Sequence, residues 1–189
     1  NWDFMMDMIK KSNRKIKVLN LFSYTGAATM ACSSAGAEVV QVDASKGMVL
    51  WAKENAVASG VAEGNVRWLV DDCMKFVKRE IRRGNKYDAI IMDPPSYGRG
   101  PKGEVWKLEQ QLAELLSETG KLLSDNALFF FLNSYTTGLS PTILNYMVKK
   151  YVVKDRKGEI FTDEIGLPIT AKGFSMPCGN TTIWTKDNG

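Results

Sequence analysis

A chain of 189 residues with 25 Lys and Arg against 21 Asp and Glu carries a formal charge of +4 and no histidine. The missing imidazole excludes Ser-His-Asp and Cys-His catalysis, HExxH metalloprotease chemistry and His-based general bases. Three widely spaced cysteines, Cys32, Cys73 and Cys178, indicate neither a disulfide framework nor a metal set and point to a reducing, cytoplasmic setting.

The length suits one domain, since a chain of this size can remove about 70% of its unfolded surface from water. The opening NWDFMMDMIKK has no secretory-signal pattern and does not begin with Met, so residues 1–189 are read as a single domain cut from a longer protein. The longest strongly apolar run, ALFFFL, is too short to span a bilayer.

From Lys15 onward, short apolar runs alternate with longer amphipathic stretches, the pattern of strands joined by crossover helices in a parallel sheet. KIKVLNLF is the first strand, and TGAATMACSSAG a helix of small residues closing at Gly36. AEVVQVDAS is the second strand, followed by a helix with Ser45 as N-cap and Gly60 as terminator. NVRWLV, DDCMKFVKREIRRG and YDAIIMD supply a third strand, a third helix and a fourth strand. After PPSYGRGPKG, the stretch EVWKLEQQLAELLSETG places Val105, Leu108, Leu112 and Leu115 on one helical face. ALFFFLNS is strand five, and SPTILNYMVKKY a helix opened by Ser140 and Pro141. The runs YVVKDRKGEIF and GFSMPCGNTTIWT alternate apolar and polar residues and read as a closing strand pair. The expected fold is an open α/β sheet with helices on both faces, a type that binds ligands beyond the carboxyl ends of its strands.

Polar and special residues follow each strand. Gly26 stands at the turn into the first helix, where it serves either close approach of a ligand or tight strand-to-helix packing. FSYTGAAT is neither GxGxxG nor a P-loop, so a cofactor without phosphates fits better than a dinucleotide or triphosphate. Asp43 ends strand two, the place of a ribose-binding carboxylate, although a helix cap beside Ser45 is the plainer reading. Asp72 and Cys73 open the third helix. There an acid is favoured by the helix dipole in any protein, or can accept a hydrogen bond from an adenine amino group.

The segment DPPSY is more specific. Pro94 and Pro95 restrict the backbone and fix Asp93 as extended; neither ring nitrogen can donate, so the prolyl carbonyls and the Asp93 carboxylate form an acceptor ledge suited to a planar group presenting N–H. Tyr97 offers an aromatic face on which such a group can stack. Gly98, Gly100 and Gly103 suggest a mobile loop, and Arg99, Lys102 and Lys107 can meet phosphate, so the loop either closes over a nucleic acid or is a plain surface loop.

The run VLNLFSYTGAAT, VDASKGMVLWAKEN, DDCMKF and YDAIIMDPPSYGRG, in that order, resembles the class I S-adenosylmethionine-dependent methyltransferases, and within them the branch of bacterial large-subunit (23S) ribosomal RNA methyltransferases with a DPPxF/Y motif. The resemblance covers about Lys15 to Ser134. It implies a Rossmann-like, seven-stranded, mostly parallel sheet with an antiparallel final strand, S-adenosyl-L-methionine as cofactor, and RNA as substrate. It also implies roles by position. Phe22, Ser23, Tyr24, Thr25 and Gly26 lie beside the amino-acid moiety of the cofactor, Asp43 with Ala44 and Ser45 at its ribose, and Asp72 with Cys73 at its adenine. Asp93, Pro94, Pro95 and Tyr97 form the methyl-transfer site, with Asp93 also beside the cofactor.

One departure matters. Relatives that methylate carbon 5 of cytosine carry a cysteine near the end of strand five, where this chain reads FLNSYTTG, so nitrogen is expected ahead of carbon 5, with oxygen and a substrate other than RNA left open. Such relatives often bear an additional domain before the catalytic one, and the expectation is that a substrate-binding segment precedes residue 1. Two other functions remain compatible with the residues alone: a nicotinamide-dependent oxidoreductase on a Rossmann sheet, and a noncatalytic RNA-binding module.

Overall fold

The computed structural model describes residues 1–61, 65–99 and 105–186. Among them, helices α1 (Trp2–Lys11), α2 (Ala27–Ser34), α3 (Lys46–Ala58), α4 (Cys73–Arg82), α5 (Leu108–Gly120) and α6 (Pro141–Val148) alternate with strands. The strands are β1 (Lys17–Leu21), β2 (Glu38–Asp43), β3 (Val66–Val70), β4 (Ala89–Met92), β5 (Tyr97–Arg99), β6 (Val105–Lys107), β7 (Phe129–Ser134), β8 (Glu159–Ile169) and β9 (Phe174–Thr185). A seven-stranded sheet has the order β3-β2-β1-β4-β7-β9-β8, and β5 and β6 form a separate two-stranded ribbon. The sheet reverses direction of growth after β3, as expected of the α/β class. The described residues include no helix long and apolar enough to cross a membrane.

The chain divides into two compact units, residues 1–92 with 121–130, and residues 93–120 with 131–189. In the first unit β1 pairs in parallel with β2 and β4, and β2 with β3. Val18, Leu19, Leu21, Val42, Ile90 and Met92 are fully buried. Buried parallel strands read as continuous apolar runs for this reason, without the alternation of a half-exposed sheet. Ser45 and Asp72 accept the N–H groups of Met48 and Lys75 as side-chain caps of α3 and α4. Gly36 and Gly60 follow α2 and α3 in the left-handed region, at φ +97° and +65°, where a glycine closes a helix without a Cβ clash.

In the second unit Leu108, Leu112, Leu115 and Leu116 of α5 are buried, as are Leu144 and Val148 of α6. The Ser140 hydroxyl caps α6 by accepting the N–H of Ile143, with Pro141 in its first turn. β8 and β9 pair antiparallel along their whole length, from Glu159 opposite Thr185 to Ile169 opposite Phe174.

Three elements differ from the sequence expectation. Trp2–Lys11 is a helix that buries Met5 and Ile9, in a stretch to which the sequence pattern assigned no element. Val105 is not on the face of α5: it pairs with Arg99 in β6 and is exposed, because Leu108 begins the helix and donates its N–H to the Ser96 carbonyl at 3.1 Å. YVV is not strand either. Lys149–Val153 extends α6 as a wider π-type turn, in which Val152 and Val153 are buried. Gly120 permits this close approach, since a Cβ there would stand 3.0 Å from the Tyr151 carbonyl oxygen and 3.1 Å from Val152 Cα. Lys154, at φ +53°, breaks the turn before β8.

Candidate active site

The first unit gathers its polar residues where β1, β2 and β3 end. The register sets Leu21 beside Val42 and Asp43 beside Val70, so the loops that follow leave the sheet at one edge. The loop after β1 has an uncommon backbone: Phe22, Tyr24 and Gly26 have φ of +54°, +49° and +84°. A side-chain-bearing residue in that region costs about 1–3 kcal/mol and persists only when its surroundings hold it.

The surroundings are specific. Ser23 donates both its N–H and its hydroxyl to the Val42 carbonyl, at 3.3 and 3.2 Å. Tyr24 donates its N–H to Asp43 Oδ2 at 2.9 Å, and Ser45 donates its N–H to Asp43 Oδ1 at 2.9 Å. The Asn55 side chain holds the Thr25 carbonyl at 3.0 Å. Phe22 N–H donates to Cys73 Sγ at 3.4 Å, and that thiol faces the Val42 carbonyl at 3.8 Å.

Each predicted residue here has a definite place. Gly26 is required by packing: its absent Cβ would lie 3.0 Å from Ala52 Cβ and 3.1 Å from Gln41 Oε1. Asp43 is neither buried nor fully exposed; each of its oxygens takes one backbone N–H and keeps a further lone pair. Ala44 and Ser45 are exposed beside it. Asp72 is exposed and caps α4 through Oδ1, which accepts the Lys75 N–H at 2.8 Å. The Cys73 side chain is buried, so only its backbone, in the first turn of α4 where N–H groups lack intrahelical partners, is suited to a ligand. Asp71 is paired with Arg79.

This set fits a nucleoside without phosphate. Two vicinal hydroxyls need two adjacent acceptor positions, which Asp43 can offer on its remaining lone pairs. The Gly26 turn, filled by Ala52 and Gln41, has no Gly-rich phosphate cradle. Burial pushes the Cys32 thiol up to about 12 and the Cys73 thiol still higher, so neither is a thiolate at neutral pH.

The second unit opens with Asp93, and its site residues are held by partners far away in sequence. Tyr135, just after β7, donates its hydroxyl to Asp93 Oδ2 at 3.3 Å. Asp93 Oδ1 is buried and has no hydrogen-bond partner among the described residues. Burial raises the Asp93 carboxyl above its ordinary value, and the Tyr135 hydrogen bond works in the opposite direction. Pro94 is buried and Pro95 exposed. The Pro95 carbonyl already accepts the Trp106 indole N–H at 2.7 Å, so the free acceptors of the ledge are narrower than the sequence implied. Thr136 donates its hydroxyl to Ser96 Oγ at 2.7 Å.

Tyr97 is about half exposed and lies in the ribbon, opposite Lys107; Gly98 lies opposite Trp106. The stretch expected to be a mobile loop thus begins and ends as paired backbone, while Gly100, Lys102 and Gly103 lie outside the described residues. Sequence reading missed Tyr135, Trp106, Ser96 and Thr136 as supports of this segment. The only signal was the polar cluster NSYTTG at the end of strand five.

The sequence profile of the S-adenosylmethionine-dependent methyltransferase family matches residues 6–139, well over half of the chain. The chain belongs to that family. Membership brings S-adenosylmethionine as the cofactor of the family. It is 34% identical over 119 residues to the ribosomal RNA large subunit methyltransferase K/L of Shewanella frigidimarina (strain NCIMB 400), covering 62% of this chain and 16% of that protein. With the ribosomal RNA large subunit methyltransferase K of Neisseria meningitidis serogroup B (strain ATCC BAA-335 / MC58) it shares 30% identity over 142 residues, 74% of this chain and 39% of the other. The chain therefore spans well under half the length of these curated relatives. A crystal structure of the S-adenosylmethionine-dependent methyltransferase from Agrobacterium tumefaciens superposes with a TM-score of 0.91 at 36% identity, over 98% of this chain and 61% of that one.

Proposed function

We propose that this methyltransferase transfers a methyl group to a base nitrogen in ribosomal or other structured RNA, in the reducing cytoplasm. Two relatives named as ribosomal RNA large subunit methyltransferases support the substrate class. The observation that carries the choice of nitrogen is the buried, unpartnered Oδ1 of Asp93. A buried acceptor without a donor costs about 1–3 kcal/mol, and an N–H of the acceptor base satisfies it.

In this reading the Phe22–Gly26 loop lies beside the amino-acid moiety of the cofactor, and Asp43 with Ala44 and Ser45 holds the ribose. Asp72 and the Cys73 backbone receive the adenine. When bound, S-adenosylmethionine supplies a methyl group already activated by a positively charged sulfur. The chain's own work is positional, which lowers a barrier by up to about 7–11 kcal/mol when reacting atoms are well oriented. Asp93 and the Pro94 carbonyl hold the acceptor N–H, and Tyr97 stacks on the base. The bound cofactor would supply its methyl carbon to the nitrogen lone pair that Asp93 and the Pro94 carbonyl orient, with its sulfur keeping the bonding electrons. The Asp93 carboxylate offsets the positive charge growing on nitrogen and takes its proton.

No thiol stands at the end of β7, where Asn133 and Ser134 occur, and Cys32 and Cys73 are buried and protonated. Covalent activation of a cytosine ring by either of these thiols is thereby disfavoured; Cys178, partly accessible on β9, is the remaining thiol. The test is methyl transfer from labelled S-adenosylmethionine to undermethylated ribosomal RNA, followed by nucleoside analysis. N-methylated nucleoside supports the proposal. 5-Methylcytosine overturns the choice of nitrogen, and RNA binding without turnover favours a noncatalytic module.

A further inference from the structure

The loop after β7 and the middle of β9 together build a support for Asp93. Tyr135 donates its hydroxyl to Asp93 Oδ2 at 3.3 Å. The Tyr135 ring sits over Gly179, where an added Cβ would come within 2.9 Å of Tyr135 Cδ1 and would run into the Ser134 carbonyl. A bare position on β9 is therefore what allows the ring to lie where it does. The tyrosine is still about half exposed, so core packing alone does not account for its placement.

A carboxylate turns about its terminal bond with only a broad two-fold preference. A donor on one oxygen fixes the plane of the carboxylate and so the direction of the other oxygen, and here that other oxygen, Oδ1, is buried and without a hydrogen bond among the described residues. We propose that Tyr135 is the positioning residue for Asp93: its hydroxyl holds Oδ2, so that Oδ1 is the oxygen presented to an N–H of the methyl acceptor. The inference rests on the reading of Asp93 as the acceptor-holding group.

The charge on Asp93 follows from the same contact. Burial disfavours the carboxylate, and the Tyr135 hydroxyl favours it. Tyr135 is in turn pushed up by burial, by Asp93 and, least, by the charge of Cys178. Removing the hydroxyl leaves burial unopposed, so the Asp93 carboxyl must titrate at higher pH.

The experiment compares the full chain with Tyr135→Phe, which keeps the ring and removes the donor. Carboxyl-labelled aspartate is followed by carbon NMR against pH, with the Asp93 signal assigned by its loss in Asp93→Asn. The expected result is a titration midpoint moved to higher pH in Tyr135→Phe. It is accompanied by about a ten-fold or greater drop in methyl transfer to undermethylated ribosomal RNA, with S-adenosylhomocysteine affinity unchanged. An unmoved midpoint with an unchanged rate overturns the positioning role. Failure of the underlying reading looks different: Asp93→Asn would then retain the parental rate, whereas the titration arm needs no substrate and reports on Tyr135 by itself.

Discussion

The carboxylate of Asp43 accepts the backbone N–H of Tyr24 at 2.9 Å, so the end of β2 holds in place the strained loop that follows β1. Its other oxygen accepts the N–H of Ser45 at 2.9 Å. One side chain thereby organises two loops while keeping lone pairs for a ligand.

Replacement of Asp43 should remove the loop clamp and, on the proposed reading, the ribose acceptor. Hydrogen bonds to charged groups contribute about 1.5–3 kcal/mol each, so Asp43→Ala is expected to weaken S-adenosylhomocysteine binding by about 100-fold or more in calorimetric titration. Asp43→Asn should also bind poorly, because its amide turns an NH2 toward one of the two backbone N–H groups. Parental affinity in both variants would remove Asp43 from the cofactor site.

Gly26→Ala should be costly for two reasons that add. Its φ of +84° lies where side chains are strained, and the new methyl would meet Ala52 and Gln41 at 3.0 and 3.1 Å. About 1–3 kcal/mol of destabilisation is expected, visible as a melting temperature several degrees lower. An unchanged melting temperature would show that the turn relaxes freely.

A buried network in the first unit sets a pH prediction. Glu80 is 1% exposed and accepts the Tyr87 hydroxyl at 2.7 Å, the Asn85 amide at 2.8 Å and the Arg83 guanidinium at 3.2 Å. Burial alone would raise its carboxyl, but these donors outweigh it and hold the value below the usual glutamate range. A carboxyl lowered in the folded state stabilises above its unfolded pKa and loses that contribution as pH falls through the folded value. Tyr87→Phe should therefore lower stability by about 1–3 kcal/mol at neutral pH. Urea unfolding at a series of pH values should show the gap from the parent narrowing in acid, and a gap constant with pH would contradict the role given to Glu80.

Thiol reactivity separates the cysteines. Cys32 and Cys73 are buried and Cys178 is partly accessible, so iodoacetamide at neutral pH should label Cys178 in the native protein and the other two only after denaturation. Rapid native labelling of Cys73 would mean that α4 and the Phe22 loop part readily, against the contact at 3.4 Å.

Local pattern carried the sequence reading a long way. Strands β1 to β4 are short apolar runs between turn signals, and helices α3 and α6 begin at Ser45 and Ser140, whose side chains do cap them; the acid expected at the start of α4, Asp72, is its cap as well. Caps, glycine stops and apolar runs are properties of neighbouring residues, so they can be read from the string of letters. The β5–β6 ribbon was not legible because its three-residue strands are too short to show a period, and the π-type turn was not because the fit of Val152 against Gly120 depends on residues far apart in the chain.

The sequence by itself determined the alternation of strand and helix, the carboxylates at the ends of β2 and β4, and the rigid Asp93–Pro94–Pro95 step. Tertiary structure decided how those groups are held. Trp106 takes the Pro95 carbonyl, Asp43 spans two loops, and Tyr135 meets Asp93 across 42 residues of sequence. The reason is physical: a residue's type states what its side chain can donate or accept, while packing of distant segments determines which of those capacities are already satisfied and which stay open for chemistry.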